Sequence, residues 1–313
     1  MSPSPDAEGA ERFKEHRPVL LEEVLERLDP RPGEIHVDCT LGAGGHAAAV
    51  LSRLGEKGLL IGIDRDPEAI EAARPRLEAA GFPFRIIEGP YSRLQEYLRL
   101  VGLAPEGAVD GLLLDLGVSS LQLDRPERGF SFLRDGPLDM RMSPVEGDSA
   151  RAFLANAPTP EIERVLRDYG EEPAAGRIAR AIDRARKEEG IETTGRLARI
   201  IEGILPRQGK KTHPATRSFQ GIRIAVNREL EHLRLVLRDL DRWVKPGGRV
   251  VVLSYHSLED RMVKESFRER TREGIYRVVP PSPLRPGAKE IESNPRSRSA
   301  RLRSVVREGK RSP

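Results

Sequence analysis

The chain has one cysteine, Cys39, and one tryptophan, and only 4% of its 313 residues are aromatic. A single thiol excludes an internal disulfide framework and any cysteine-rich zinc site, so no metal is expected. No apolar run reaches the roughly 18 residues that a membrane-spanning helix needs. Residues 1–15 also lack the apolar stretch of a secretory signal. A cytoplasmic protein with no membrane partner is expected. Acids are missing from one long stretch: there is none between Leu205 and Arg228, while Arg207, Lys210, Lys211, Arg217, Arg223 and Arg228 are basic. The tail is similar, with Arg296, Arg298, Arg301, Arg303 and Arg307 before Glu308. Net charge is only +4, so the clustering is what matters. It marks either contacts to phosphates or solvated basic faces.

Hydrophobic residues at 38% and charged ones at 33% suit one large α/β domain with an addition. The organising stretch is Ile35-His36-Val37-Asp38-Cys39-Thr40-Leu41-Gly42-Ala43-Gly44-Gly45-His46-Ala47. It reads as an apolar strand with an acidic end, a glycine turn and the start of a helix. Glycines admit positive φ and close approach of a ligand, and a helix start offers unpaired N–H groups. A second strand, Leu59–Ile63, ends in Asp64, placed to accept both hydroxyls of a ribose. This is the pattern of a nucleoside-cofactor pocket. Gly42-x-Gly44-x-x-Ala47, with Asp64 about 20 residues on, also satisfies the dinucleotide fingerprint, so a nicotinamide dinucleotide is one reading. Asp38 favours another. Its charge would repel a pyrophosphate but hold the ammonium of S-adenosylmethionine, which carries a sulfonium and no phosphate.

Strands at 35–38, 59–63, 84–87, 109–114 and 249–254 alternate with helices at 45–54, 67–80 and 92–102. That rhythm predicts an α/β fold with a parallel sheet and right-handed crossovers, its ligand at the carboxyl ends of the strands near the switch point. The segment 16–25 has helical spacing and is expected beside the pocket. Tyr91 either borders an adenine or is a half-buried surface aromatic. Asp115-Leu116-Gly117-Val118-Ser119-Ser120 reaches the same edge, as a site loop or as a helix cap. After Gln122 the alternation stops, and helical patterns follow at 149–155, 160–169, 174–189 and 194–204. The expected division is a main domain of 1–122 and 215–313 around a helical insertion, 123–214, that recognises substrate.

With Asp115–Ser120 and Tyr255-His256-Ser257-Leu258-Glu259-Asp260-Arg261 the chain becomes recognisable. It resembles the bacterial small-subunit rRNA cytosine-N4 methyltransferases of the MraW (RsmH) type. The shared segments run in order through His16–Leu20, Asp38–His46, Asp64, Gly89–Ser92, Asp115–Gln122, Arg128–Phe132, Gly136–Met142, Arg217–Asn227, Tyr255–Arg261 and Asn294–Arg303. They cover nearly the whole chain, and so many together are specific. One departure is Ser143, where the family usually has an Asp.

The resemblance implies a class I, Rossmann-like methyltransferase fold using S-adenosylmethionine on the exocyclic amine of a cytidine in the decoding region of 16S rRNA. It implies that Gly44, Gly45 and His46 line the methionine end of the cofactor, with helix capping the other role for His46. Asp64 takes the ribose and Tyr91 the adenine, while Asp115 and Gln122 complete the pocket near the methyl. Cytosine N4 is a poor nucleophile because its lone pair is delocalised, so acceptors for its hydrogens would favour the charged transition state. Asp115, the carbonyls of Leu116 and Gly117, and Ser119 are the candidates. The base must leave its stack. Tyr255 could then stack on it, and His256 could take the proton or be an ordinary loop histidine. Lys210, Lys211, Arg217 and Arg223, with the helical lobe, would grip the RNA backbone. The partner implied is 16S rRNA or the small subunit, bound by a monomer or homodimer. Two rivals remain: an amine methyltransferase of DNA, whose acid-Pro-Pro-aromatic loop is missing after Asp115, and a non-catalytic RNA-binding factor that retains the fold.

Overall fold

Runs such as Leu112-Leu113-Leu114 and Val250-Val251-Val252-Leu253 are apolar without alternation, and such strands need cover on both faces. In the computed structural model, which describes residues 18–205 and 213–309, they have it. The first half builds α1 (Leu21–Leu28), β1 (Ile35–Asp38), α2 (Gly45–Leu54), β2 (Leu59–Asp64), α3 (Pro67–Ala80), β3 (Phe84–Glu88), α4 (Leu94–Leu100), β4 (Val109–Asp115) and the short α5 (Ser120–Asp124). Then come five helices, α6 (Ala150–Asn156), α7 (Thr159–Asp168), α8 (Ala175–Glu188), α9 (Thr194–Ile204) and α10 (Thr216–Asn227). The chain closes with α11 (Glu229–Trp243), β5 (Val244–Ser254), α12 (Ser257–Arg272), β6 (Tyr276–Val278), α13 (Ala288–Ser293) and β7 (Arg301–Arg307).

The seven strands form one sheet in the order β3-β2-β1-β4-β5-β7-β6. The first five are parallel, with Val37 opposite Ile61 and Leu112, and Leu112 opposite Val250. Alternate residues serve opposite faces. Ile61, Leu112, Leu114, Val250 and Val252 pack with Leu98, Val236, Leu240, Trp243 and Phe267 from α4, α11 and α12. Leu60, Leu113, Val251 and Leu253 pack with Val24, Leu28, Leu51, Leu54 and Leu77 from α1, α2 and α3. The sheet starts at β1, runs outward to β3 and returns through β4. The switch point therefore lies between the carboxyl ends of β1 and β4, where a ligand crevice is expected. Among the described residues no helix is long and apolar enough to cross a membrane.

The structure revises two features of the sequence reading. The basic tail is a sheet strand. β7 runs antiparallel to β5, and Arg301 and Arg303 pair with Asp260 of α12 at 2.8 and 2.7 Å. Its acid lies in space rather than in sequence. Helix α10, expected to rejoin the main domain, instead gives Phe219 and Ile222 to the core of the helical lobe, with Leu138, Leu154, Ile178 and Ile201. The lobe is tied to the main domain by polar contacts. Arg128 bonds Asp66 and Glu68 at 2.9 Å and donates to the carbonyls of Arg141 and Met142. Arg65 of the main domain donates to the Asn227 carbonyl at 2.9 Å, and within the lobe Asn227 donates to the Met140 carbonyl and accepts from the Met142 N–H.

Candidate active site

A cleft of about 930 Å³, counting the open space at its mouth, lies over the switch point. Its walls include Thr40, Gly42, Asp64, Tyr91, Asp115, Gly117, Ser119, Gln122, Glu229, His232, Tyr255 and Glu259. The strand ends are locked together beneath it: Thr40 Oγ1 accepts from the Asp115 N–H at 2.6 Å, and Gly42 N–H donates to Asp64 Oδ2 at 2.8 Å. Gly44 N–H donates to the Leu41 carbonyl. Two amides of the glycine turn are thus committed within the protein.

Asp115 is held from both sides. Tyr255 O–H donates to its Oδ1 at 2.7 Å, and His46 Nδ1 lies 3.6 Å from its Oδ2. Burial, and then the Asp115 charge, push the Tyr255 phenol well above its usual range, so it stays a donor. Asp64 and Asp38 are both raised, chiefly by burial, to about 6 and about 7. For Asp38 the neighbouring Asp115 and Asp64 charges add to the shift. Acids in this condition favour a cationic ligand, which restores their ionisation.

Several expected site residues sit elsewhere. Asp38 is buried, accepts from the Thr40 N–H at 3.1 Å and does not line the cleft. Its side chain folds back on the turn. Gly44 and Gly45 serve packing. At φ +76° a Cβ on Gly44 would lie 3.0 Å from that of Ala73, and one on Gly45 would lie 2.4 Å from Pro18 Cγ. His46 is buried behind Asp115, with Nε2 bonded to the Val19 carbonyl at 3.0 Å. Gln122 lines the cleft, but its amide is taken: Nε2 donates to Asp66 and Oε1 accepts from the Ser119 N–H. Ser119 Oγ accepts from Gln122 N–H, so this pair forms a capping box.

His256 is the N-cap of α12. Its Nδ1 accepts from the Glu259 N–H, and Nε2 stands 3.1 Å from Glu259 Oε1, though not aligned for a hydrogen bond. It is not in the cleft wall. Arg223, expected to hold RNA, is turned inward and pairs with Glu229 through two 2.9 Å hydrogen bonds. Helical spacing put Arg223 on an inner face, which a count of basic residues does not register. Arg217 is exposed at the start of α10. Lys210 and Lys211 lie outside the described residues.

The residues that sequence reasoning missed come from α11 and α12. Glu229, His232 and Leu233 share one helix face and close the cleft opposite Tyr91. The His232 ring stands edge-on to Tyr91 and bonds Ser92 Oγ at 2.8 Å. Burial, helped by Arg65 and Arg228, holds its pKa down to about 4, so the ring is neutral. The i, i+3, i+4 spacing of these three residues was a usable signal. Glu229, His256 and Glu259 bring three ligand atoms within 4.8 Å, a spacing that suits a metal ion. Arg223 already supplies the cation there, on both oxygens of Glu229.

Comparison with known proteins agrees with this architecture. The model of the MraW methylase family matches residues 13–308. A protein of Methylococcus capsulatus named ribosomal RNA small subunit methyltransferase H is 49% identical, over 91% of this chain and 98% of its own. One of the same name from Trichlorobacter lovleyi is 45% identical over 94% of this chain and 98% of its own. The chain belongs to the MraW methylase family.

Proposed function

We propose that this protein transfers a methyl group from S-adenosylmethionine to the exocyclic N4 of a cytidine in the decoding region of small-subunit ribosomal RNA. The observation that carries this reading is Asp115, a carboxylate fixed by Tyr255 at the mouth of a cleft whose wall is rich in acids. The donor fits that wall. Asp64 and the neighbouring acids suit ribose hydroxyls and positive charge, and the Tyr91 and His232 rings with Leu233 suit a purine. A pyrophosphate fits poorly, because the Gly42 and Gly44 amides are engaged and Asp64, Asp115, Glu229 and Glu259 would face it. The dinucleotide reading is set aside on those grounds.

When bound, S-adenosylmethionine supplies an electrophilic methyl whose sulfur leaves as a neutral thioether. The chain's own residues do the rest. Asp115 accepts a hydrogen of the N4 amine, localising the lone pair and orienting it, and alignment alone can contribute on the order of 7–11 kcal/mol. Tyr255 holds Asp115 through its hydroxyl, which sets its ring beside the base rather than free to follow it. The exposed Arg217 and the helical lobe supply the RNA-facing surface. The loop Asp115-Leu116-Gly117-Val118 lacks the prolines of DNA amine methyltransferases, which disfavours DNA.

The test is to incubate the protein with methyl-labelled S-adenosylmethionine and unmodified small subunits, naked 16S rRNA or duplex DNA, and to identify labelled nucleosides by mass spectrometry. N4-methylcytidine from either RNA sample is the expected result. Label confined to DNA would move the substrate, and cofactor binding without label anywhere would point to a binding factor.

A further inference from the structure

Methylation of an amine leaves one proton too many on the nitrogen, and a buried site must give that proton a place to go. The arrangement behind Asp115 provides one. His46 is only 6% exposed and sits on the first turn of α2. A carbonyl can only accept, so the 3.0 Å contact to Val19 requires the proton on His46 Nε2. In the neutral ring Nδ1 is then bare, and it faces Asp115 Oδ2 at 3.6 Å. A lone pair set against a carboxylate is unfavourable until a proton enters between them. Catalytic contacts that are long in the free protein commonly tighten in the complex.

We propose that His46 is the positioning partner through which Asp115 takes and holds the proton released from the substrate amine. This rests on the amine methylation proposed above. In the balanced step the N4 lone pair forms the N–C bond while the C–S pair stays on sulfur. The cationic N4 then loses a proton to Asp115 Oδ2, its N–H pair returning to nitrogen. The proton is shared with His46 Nδ1, and the resulting imidazolium is held by the Val19 carbonyl at Nε2. Its positive charge sits beside Asp115 as the sulfonium charge disappears, so the buried site keeps its balance until product leaves. Other titratable groups face this pair: Asp38 from the end of β1, Tyr255 after β5, and Glu259 and Glu290, whose charges reach Tyr255. The His46 ring itself meets the Val19 carbonyl through Nε2 and Asp115 through Nδ1. This reading moves His46 from the wall of the cofactor pocket to the wall behind the base.

The discriminating variant is His46→Gln, whose amide can still donate to the Val19 carbonyl but leaves no base beside Asp115. Single-turnover methyl transfer to small subunits at saturating cofactor should slow about 10- to 100-fold. Its fall towards acid pH should become shallower, while the dissociation constant for S-adenosylhomocysteine stays within a factor of about three. An unchanged rate and pH profile, or a loss of cofactor affinity matching the loss of rate, would overturn the proposal. Independently of activity, and whether or not the variant folds, 15N spectra of histidine-labelled parent protein at pH 8 should show His46 protonated at Nε2 and bare at Nδ1. The opposite tautomer would also overturn it. Failure of the parent protein to methylate any RNA would instead refute the proposed function.

Discussion

Both walls of the cleft carry buried carboxylates, but under opposite electrostatics. On the glycine-turn side Asp64, in the wall, and Asp38, buried behind it, are pushed up to about 6 and about 7, mainly by burial, and Asp115 adds to the repulsion on Asp38. The Arg65 guanidinium next to them turns away to the Asn227 carbonyl and Glu146. On the facing side Glu259 is just as buried, yet its carboxyl is held below the ordinary range. There burial is outweighed by His256 and Arg223, and Glu229 has both oxygens on Arg223. The acids of the first side are met by backbone amides of their own turns rather than by a guanidinium, and suit a cationic ligand. The second is neutralised internally and serves as a scaffold.

The largest test of this contrast is Asp115→Asn. An amide cannot accept a proton, so methyl transfer should fall by at least about 100-fold, with cofactor binding preserved in a calorimetric titration. Equal loss of binding and transfer would return Asp115 to the cofactor side alone. Arg223→Met should damage folding instead. It strands Glu229 and Glu259 in a buried site, with an expected cost of about 3–5 kcal/mol in urea unfolding. A loss under 1 kcal/mol would mean the pair is solvated in solution.

Acidity separates the walls further. For Asp38 and Asp64 the folded pKa lies above the unfolded value, so the unliganded protein should lose stability as pH rises from about 4 to 7. A cationic cofactor needs these acids ionised. Its affinity should therefore weaken roughly tenfold from pH 8 to pH 6, with proton release on binding that calorimetry in different buffers would detect. A flat profile would place the cofactor charge elsewhere. The smallest effect is expected at Arg217→Ala, which should lower the salt slope of RNA binding by about one.

Much of this was legible in sequence because it is local. The alternation of strands and helices announced a parallel sheet, and the acid-ended strands and glycine turn placed the crevice. The motif Asp115–Gln122 lies at its mouth, where the reading put it. What local pattern did not reveal was which way each polar group turns. Asp38 and His46 lie within one motif, yet the Asp38 carboxylate is taken by its own turn and His46 faces Asp115 across the strand ends. Arg223, Arg301 and Arg303 looked like phosphate binders because their acids are distant in sequence or on another element.

The sequence by itself determined the alternation of strands and helices, the position of the crevice and the chemistry of the groups delivered to it. These follow from side-chain period, backbone freedom and charge, which act over a few residues. Only the tertiary structure decided that Tyr255 and His46 both converge on Asp115, that Glu229 and His232 close the cleft, and that β7 completes the sheet. Those contacts join segments up to 140 residues apart, and burial together with pairing of each charge in three dimensions selects among the partners that the sequence leaves open.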